Sequence, residues 1–168
     1  SGIGKKFEEL KFAVSKNILL INVESESELK NIQKLAKKFR KKVSVGLRLN
    51  PNIDAKTNTK ISTGRIQDKF GLDSNNIIKI LNKFKNSRNI EIKCLSVHIG
   101  SQITQNKPYN NVLVAINKIL LKSKFKFEYI DLGGGMGIKY VKDNKRLDYS
   151  KLSKNIYKFS KKNNCKII

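Results

Sequence analysis

Acidic side chains are scarce in this chain: 13 Asp and Glu stand against 36 Lys and Arg, giving a formal charge of +23 over 168 residues. Arginine is scarce too, and occurs only at Arg40, Arg48, Arg65, Arg88 and Arg146. A dedicated nucleic-acid surface draws on arginine forks for phosphate and guanine and on basic residues gathered in one tract. Here the lysines are spread over every expected helix, and Lys, Asn and Ile are abundant together. The charge is therefore read as solvated lysine faces, and no nucleic-acid partner is expected. Only Cys94 and Cys165 are present, far apart and without a CxxC companion, which excludes a zinc site. No run of eighteen apolar residues occurs, so neither a membrane-spanning helix nor a membrane partner is expected. The first residues lack the apolar core of a signal peptide and do not begin with Met. Two isolated cysteines without a secretion signal suit a reducing cytoplasm.

What is present alternates between two periodicities. Phe7, Leu10 and Val14 give a helix over 5–15, and Ile18 to Val23 a short β-branched strand. Ser25 and Glu28 form a capping-box pattern ahead of a helix that runs to about Lys38. Lys42 to Leu49 is the next strand. Asp73 caps a helix carrying Ile77, Leu81 and Phe84, and Ile90 to Ile99 is a strand. A helix through Tyr109, Val112, Ile116 and Ile119 follows, then a strand from Phe127 to Leu132. A helix through Leu152, Ile156 and Phe159 leads to a last strand begun at Cys165. Residues 50–72 are polar, turn-rich and long, as functional loops are. This α, four-fold β-α, then β order predicts a parallel sheet with crossover helices, closed as a barrel or open and doubly wound. In either form ligands sit at the C-terminal strand ends. The chain opens on a helix and stops inside an apolar strand, so an internal piece of a larger enzyme is expected, about half of an eight-stranded barrel.

Two of these strands end in unusual segments. His98-Ile99-Gly100-Ser101-Gln102 closes one and Gly133-Gly134-Gly135 another. Alternation puts Ile92, Cys94, Ser96 and His98 on one strand face and Lys93, Leu95, Val97 and Ile99 on the other. His98 is then either a ring at the barrel mouth or a core histidine bonded to a neighbouring strand. Ser101 is a ligand hydroxyl or a turn serine. The glycines are a flexible turn or a backbone cradle for phosphate. Arg48 shares a face with Ser44 and Gly46. An inward arginine must meet an anionic ligand or pair with a strand carboxylate such as Glu24 or Asp131, because an uncompensated buried charge costs several kcal/mol. Gly46 leaves room for its stem or for a neighbour.

Taken together these segments resemble a known family. Leu47-Arg-Leu-Asn-Pro51, Lys56-Thr57 with Ile61-Ser-Thr-Gly64, Lys69-Phe-Gly71, His98-Ile-Gly-Ser-Gln102 and Asp131-Leu-Gly-Gly-Gly-Met-Gly-Ile138 stand in the order seen in the diaminopimelate decarboxylases. These are fold-type III pyridoxal-phosphate enzymes with an alanine-racemase-like barrel. Val23-Glu-Ser-Glu-Ser-Glu-Leu29 also fits the family's fourth-strand segment. The resemblance implies an α/β fold, a partial (β/α)8 TIM barrel holding about strands 4–7 and the start of strand 8. It implies pyridoxal 5'-phosphate as cofactor, with His98 stacked on its ring and Ser101, Gly133, Gly134 and Gly135 on its phosphate. Arg48 would line the active site, and residues 50–72 would form a loop over it. Asn58 stands where the family usually has His.

The same resemblance places the imine-forming lysine upstream of Ser1 and a Glu-Pro-Gly-Arg segment and C-terminal β-domain beyond Ile168. No residue here is therefore nominated as catalytic. The implied reaction is decarboxylation of the amino acid meso-2,6-diaminopimelate to L-lysine by a full-length homodimer, with residues 1–168 alone inactive. The rivals are a decarboxylase of the same fold acting on carboxynorspermidine, ornithine or arginine, and a non-catalytic regulatory relative.

Overall fold

The computed structural model describes residues 1–55, 63–64, 70–138 and 147–168. The loop positions Lys56, Thr57, Asn58, Ile61, Ser62 and Lys69 lie outside the described residues.

The elements run α1 (Phe7–Ser15), β1 (Ile21–Val23), α2 (Glu26–Lys38), β2 (Val43–Leu49), α3 (Ser74–Phe84), β3 (Ile90–Val97), α4 (Asn106–Ser123), β4 (Tyr129–Asp131), α5 (Tyr149–Asn163) and β5 (Lys166–Ile167). This is the expected alternation. Helix starts follow local chemistry. Ser25 accepts from the Glu28 N–H, while the Glu28 carboxylate reaches back one residue further than a capping box requires, to the Glu24 N–H at 2.8 Å. Asp73 accepts from the Asn75 and Asn76 N–H groups, both at 2.9 Å, and starts α3.

The five strands are all parallel and lie in sequence order, β1-β2-β3-β4-β5. Val23, Leu47, Leu95 and Ile130 form one row across them and point to the helices. They join Leu29, Ile32, Ile77, Leu81, Val112 and Ile116 in a single apolar core. The opposite face is polar and small: Asn22, Gly46, Arg48, Cys94, Ser96 and Asp131.

That face is strongly concave. Asn22 on β1 donates to Asp131 on β4 at 2.7 Å, across two intervening strands. A flat sheet would hold those strands about 14 Å apart, three spacings of ~4.8 Å. Gly46 permits the crossing, because a Cβ there would stand 2.1 Å from Asn22 Oδ1. The room left by Gly46 is taken by a neighbour's side chain.

Strict alternation along β3 fails at one point. Val45 pairs with Ile92 but Gly46 pairs with Cys94, so Lys93 is an extra residue in the ladder. Such a bulge inverts the parity of everything before it. Ile90 and Ile92 therefore face the helices with Val43 and Val45, and Ile92 does not share a face with Cys94, Ser96 and His98. Because Lys93 absorbs the extra position, the polar C-terminal half of the strand can sit inside while both halves stay packed outside.

Candidate functional site

The C-terminal ends of β2, β3 and β4 surround an open cavity of about 600 Å³. Arg48, Ser96, His98, Asp131, Gly133 and Gly134 line it, together with Ser1, Gly2 and Ile168. Strand polarity explains the gathering. In parallel strands every loop following a strand opens at one end, and here the loops after β3 and β4 carry the histidine and the glycines.

These two loops are built into each other. Gly133 packs where a Cβ would sit 2.2 Å from the Val97 carbonyl oxygen, and Gly135 where a Cβ would sit 2.0 Å from that of Gly100. No side chain fits at either place. Ile103 N–H donates to the Gly135 carbonyl at 3.0 Å, and Gly137 N–H returns a bond to Ile103 at 2.9 Å. Between the two clamped glycines, Gly134 is exposed, and a Cβ on it would meet nothing within 4 Å. All three have left-handed backbones, with φ of 72°, 65° and 80°.

His98 is half-buried, and its Nδ1 lies 2.6 Å from the Gly133 carbonyl oxygen. A carbonyl only accepts, so Nδ1 carries the hydrogen. In the neutral ring Nε2 then holds the lone pair. Thr63 steadies the same residue by donating its hydroxyl to the His98 carbonyl at 2.8 Å. Ser101 is exposed one step away, beside Gly135, and is not among the residues lining the cavity.

Arg48 is buried, and its Nη1 donates to Glu24 Oε1 at 2.7 Å. Its guanidinium also lies 5.1 Å from the centre of the Phe70 ring. Of the two carboxylates open to it from sequence, Glu24 is the partner. Asp131 serves another purpose: its Oδ2 accepts from Asn22 and from Ser96 Oγ at 3.0 Å, and its Oδ1 accepts from the Gly133 N–H at 2.8 Å. Asn22 Oδ1 and Glu24 Oε2 are buried acceptors without a hydrogen-bond partner among the described residues.

Tyr109 was legible only as an apolar helix position. Its ring is 1% exposed, yet its hydroxyl donates to the Gly134 carbonyl at 2.8 Å. Burial, with a smaller contribution from the Tyr149 charge, pushes its pKa up to about 12, so the phenol keeps its proton and remains a donor. Burial, then the Asp131 charge, likewise pushes the Cys94 thiol up to about 12. It is a neutral filler of the concave face and no nucleophile. Among the described residues no group of three His, Cys, Asp or Glu side chains could hold a metal ion, and no helix is long and apolar enough to cross a membrane.

Comparison with known proteins gives this rim its context. Residues 1–167 match the family described as pyridoxal-dependent decarboxylase, pyridoxal binding domain. Over 148 residues the chain is 38% identical to the diaminopimelate decarboxylase of Aquifex aeolicus (strain VF5), covering 86% of this chain and 35% of that protein. Over 146 residues it is 37% identical to that of Campylobacter jejuni subsp. jejuni, covering 85% of this chain and 36% of that protein. A crystal structure of diaminopimelate decarboxylase from Helicobacter pylori complexed with L-lysine superposes with a TM-score of 0.93 at 32% identity, over 99% of this chain and 43% of that one. The chain thus spans a little over a third of the length of these curated relatives. It belongs to the pyridoxal-dependent decarboxylases, and the paired loops after β3 and β4 lie within their pyridoxal-binding domain.

Proposed function

We infer that residues 1–168 are the central part of a (β/α)8 barrel, about strands 4–7 and the start of strand 8, in a cytoplasmic decarboxylase. Its substrate is meso-2,6-diaminopimelate and its products are L-lysine and CO2. The observation that carries the reading is the joint rim, where His98 and the glycine loop are bonded to each other at adjacent strand ends. The relatives named above support the substrate, and so does the L-lysine in the Helicobacter pylori enzyme, since lysine is the product of this reaction. On this reading earlier barrel strands and a C-terminal β-domain complete the enzyme, which works as a homodimer.

The residues fit pyridoxal phosphate. Three successive left-handed glycines, the middle one bordering open space, make the concave backbone that holds a phosphate. Gly134 and Gly135 would hold that group through N–H donors, with Gly133, whose own N–H is taken by Asp131, shaping the loop beneath it and the Ser101 hydroxyl beside them. His98 would stack on the ring. When bound, the cofactor supplies an electron sink for the pair left behind as CO2 departs. The chain's own residues orient and stabilise. His98, held by the Gly133 carbonyl, would fix the orientation of the group bound against it. Glu24 neutralises Arg48 in part and aims it, leaving further guanidinium donors at the cavity wall for an anionic group of the ligand.

The test is CO2 release by the intact protein with added pyridoxal phosphate, from meso-diaminopimelate, ornithine, arginine and carboxynorspermidine. Preferred release from diaminopimelate is expected. Preferred release from another of the four reassigns the substrate, and release from none contradicts the decarboxylase reading.

A further inference from the structure

We propose that Asp131 is a positioning residue, which locks the glycine loop and the His98 ring into one unit and so sets how tightly the cofactor is held. The proposal rests on the reading above, and four contacts carry it. The Asp131 carboxylate accepts from the Gly133 N–H at 2.8 Å, and the carbonyl of that same glycine takes the His98 Nδ1 hydrogen at 2.6 Å. The other carboxylate oxygen accepts from Asn22 at 2.7 Å and Ser96 at 3.0 Å. Asp131 thereby ties β1 and β3 to the loop after β4. Asp131 holds the peptide before the Gly133 Cα, and the carbonyl that receives His98 belongs to the peptide after it; with Gly133 left-handed and packed against the Val97 carbonyl, fixing the first peptide sets the direction of the second. With the peptide fixed, its carbonyl selects the Nδ1–H form of the ring and its tilt.

Asn22 offers a clean approach to this chain of contacts. It is 5% exposed, does not line the cavity, and reaches the site through Asp131. Its Oδ1 has no partner, so where residue 131 offers a donor the amide can turn over with no bond lost on the Oδ1 side. An asparagine at 131 could then accept from the Gly133 N–H and donate its own amide to the reversed Asn22.

The experiment titrates pyridoxal phosphate into the intact protein and its Asp131→Ala, Asp131→Asn and Asn22→Ala variants. Long-range 1H–15N spectra, with His98 assigned by comparison with His98→Gln, report which ring nitrogen carries the hydrogen. Asp131→Ala is expected to weaken cofactor binding at least tenfold and to populate the Nε2–H form of His98. Asn22→Ala is expected to weaken binding about threefold, and Asp131→Asn to stay within about threefold of wild type with the Nδ1–H form kept. Should Asp131→Ala fail to fold, Asn22→Ala and Asp131→Asn decide the matter. Unchanged affinity and an unchanged ring form in Asp131→Ala, or in Asn22→Ala where that variant decides, overturn the proposal. So does an Asp131→Asn variant as weak as Asp131→Ala. Absence of cofactor binding by wild type would instead strike the reading of the site itself.

Discussion

At the scale of single residues, the site is a set of obligations met by close contact. His98 shares its Nδ1 hydrogen with Gly133 and lines the cavity. A stacked ring contributes about 0.5–1.5 kcal/mol beyond its area. In the intact protein His98→Ala should therefore weaken pyridoxal phosphate binding about two- to twelvefold and slow turnover, read from the cofactor absorbance across a titration and from CO2 release. An unchanged affinity and rate would remove His98 from the site. Glu24 and Arg48 form a pair whose side chains are 6% and 7% exposed. Removing one partner leaves a buried, uncompensated charge, so Glu24→Ala should cost about 3–5 kcal/mol in urea unfolding. A loss below about 1 kcal/mol would mean that water reaches the guanidinium freely. The Arg48 case also shows what sequence holds at this scale. The need for a partner was legible, and so were both candidates. The choice of Glu24 was not, because it depends on Asn22 and Ser96 already occupying Asp131.

At the scale of elements, the order and type of the ten described were legible, because each helix carries its own apolar stripe and each strand lies in a short apolar run. Two features escaped. The bulge at Lys93 inserts one residue into a ladder, and a period-2 rule has no means of registering an insertion, so Ile92 was assigned to the wrong face. The Tyr109 hydroxyl was hidden by its ring, which fits the apolar stripe of α4 so well that its polar end drew no notice. That hydroxyl is the bond between α4 and the glycine loop, and it titrates. Its folded pKa, about 12, lies above the ordinary value of 10.0. Its contribution to stability is thus fully present below about pH 10 and lost as pH rises from there through about 12. The melting temperature of wild type should fall over that window more steeply than that of Tyr109→Phe. Parallel curves for the two proteins would mean that the phenol is already solvated in the folded state.

At the scale of the whole molecule, the sheet is an arc, curved enough for a side chain of β1 to reach one of β4. The parallel order was readable from sequence, whereas the depth of the curve was not, because it requires the pairing of Gly46 with the crossing Asn22 side chain. Among the described residues β1 and β5 are the outer strands of this arc, and strand edges left unpaired template association. Residues 1–168 expressed alone should therefore elute as aggregate in size-exclusion chromatography and, because the proposed reading places the imine-forming lysine outside them, should release no CO2 from diaminopimelate with added cofactor. A monodisperse, active monomer would place the whole chemistry inside these residues. The central claim is narrower: the paired loops after β3 and β4 are where pyridoxal phosphate is held. Gly134 tests it most directly, since it lines the cavity and a Cβ there meets no atom of the described residues within 4 Å. A left-handed alanine costs about 1–2 kcal/mol, so the fold should survive the change. Titrated with pyridoxal phosphate, the intact Gly134→Ala protein should bind at least tenfold more weakly than wild type, while its melting temperature drops by only a few degrees. Equal affinity in the two proteins would contradict the account.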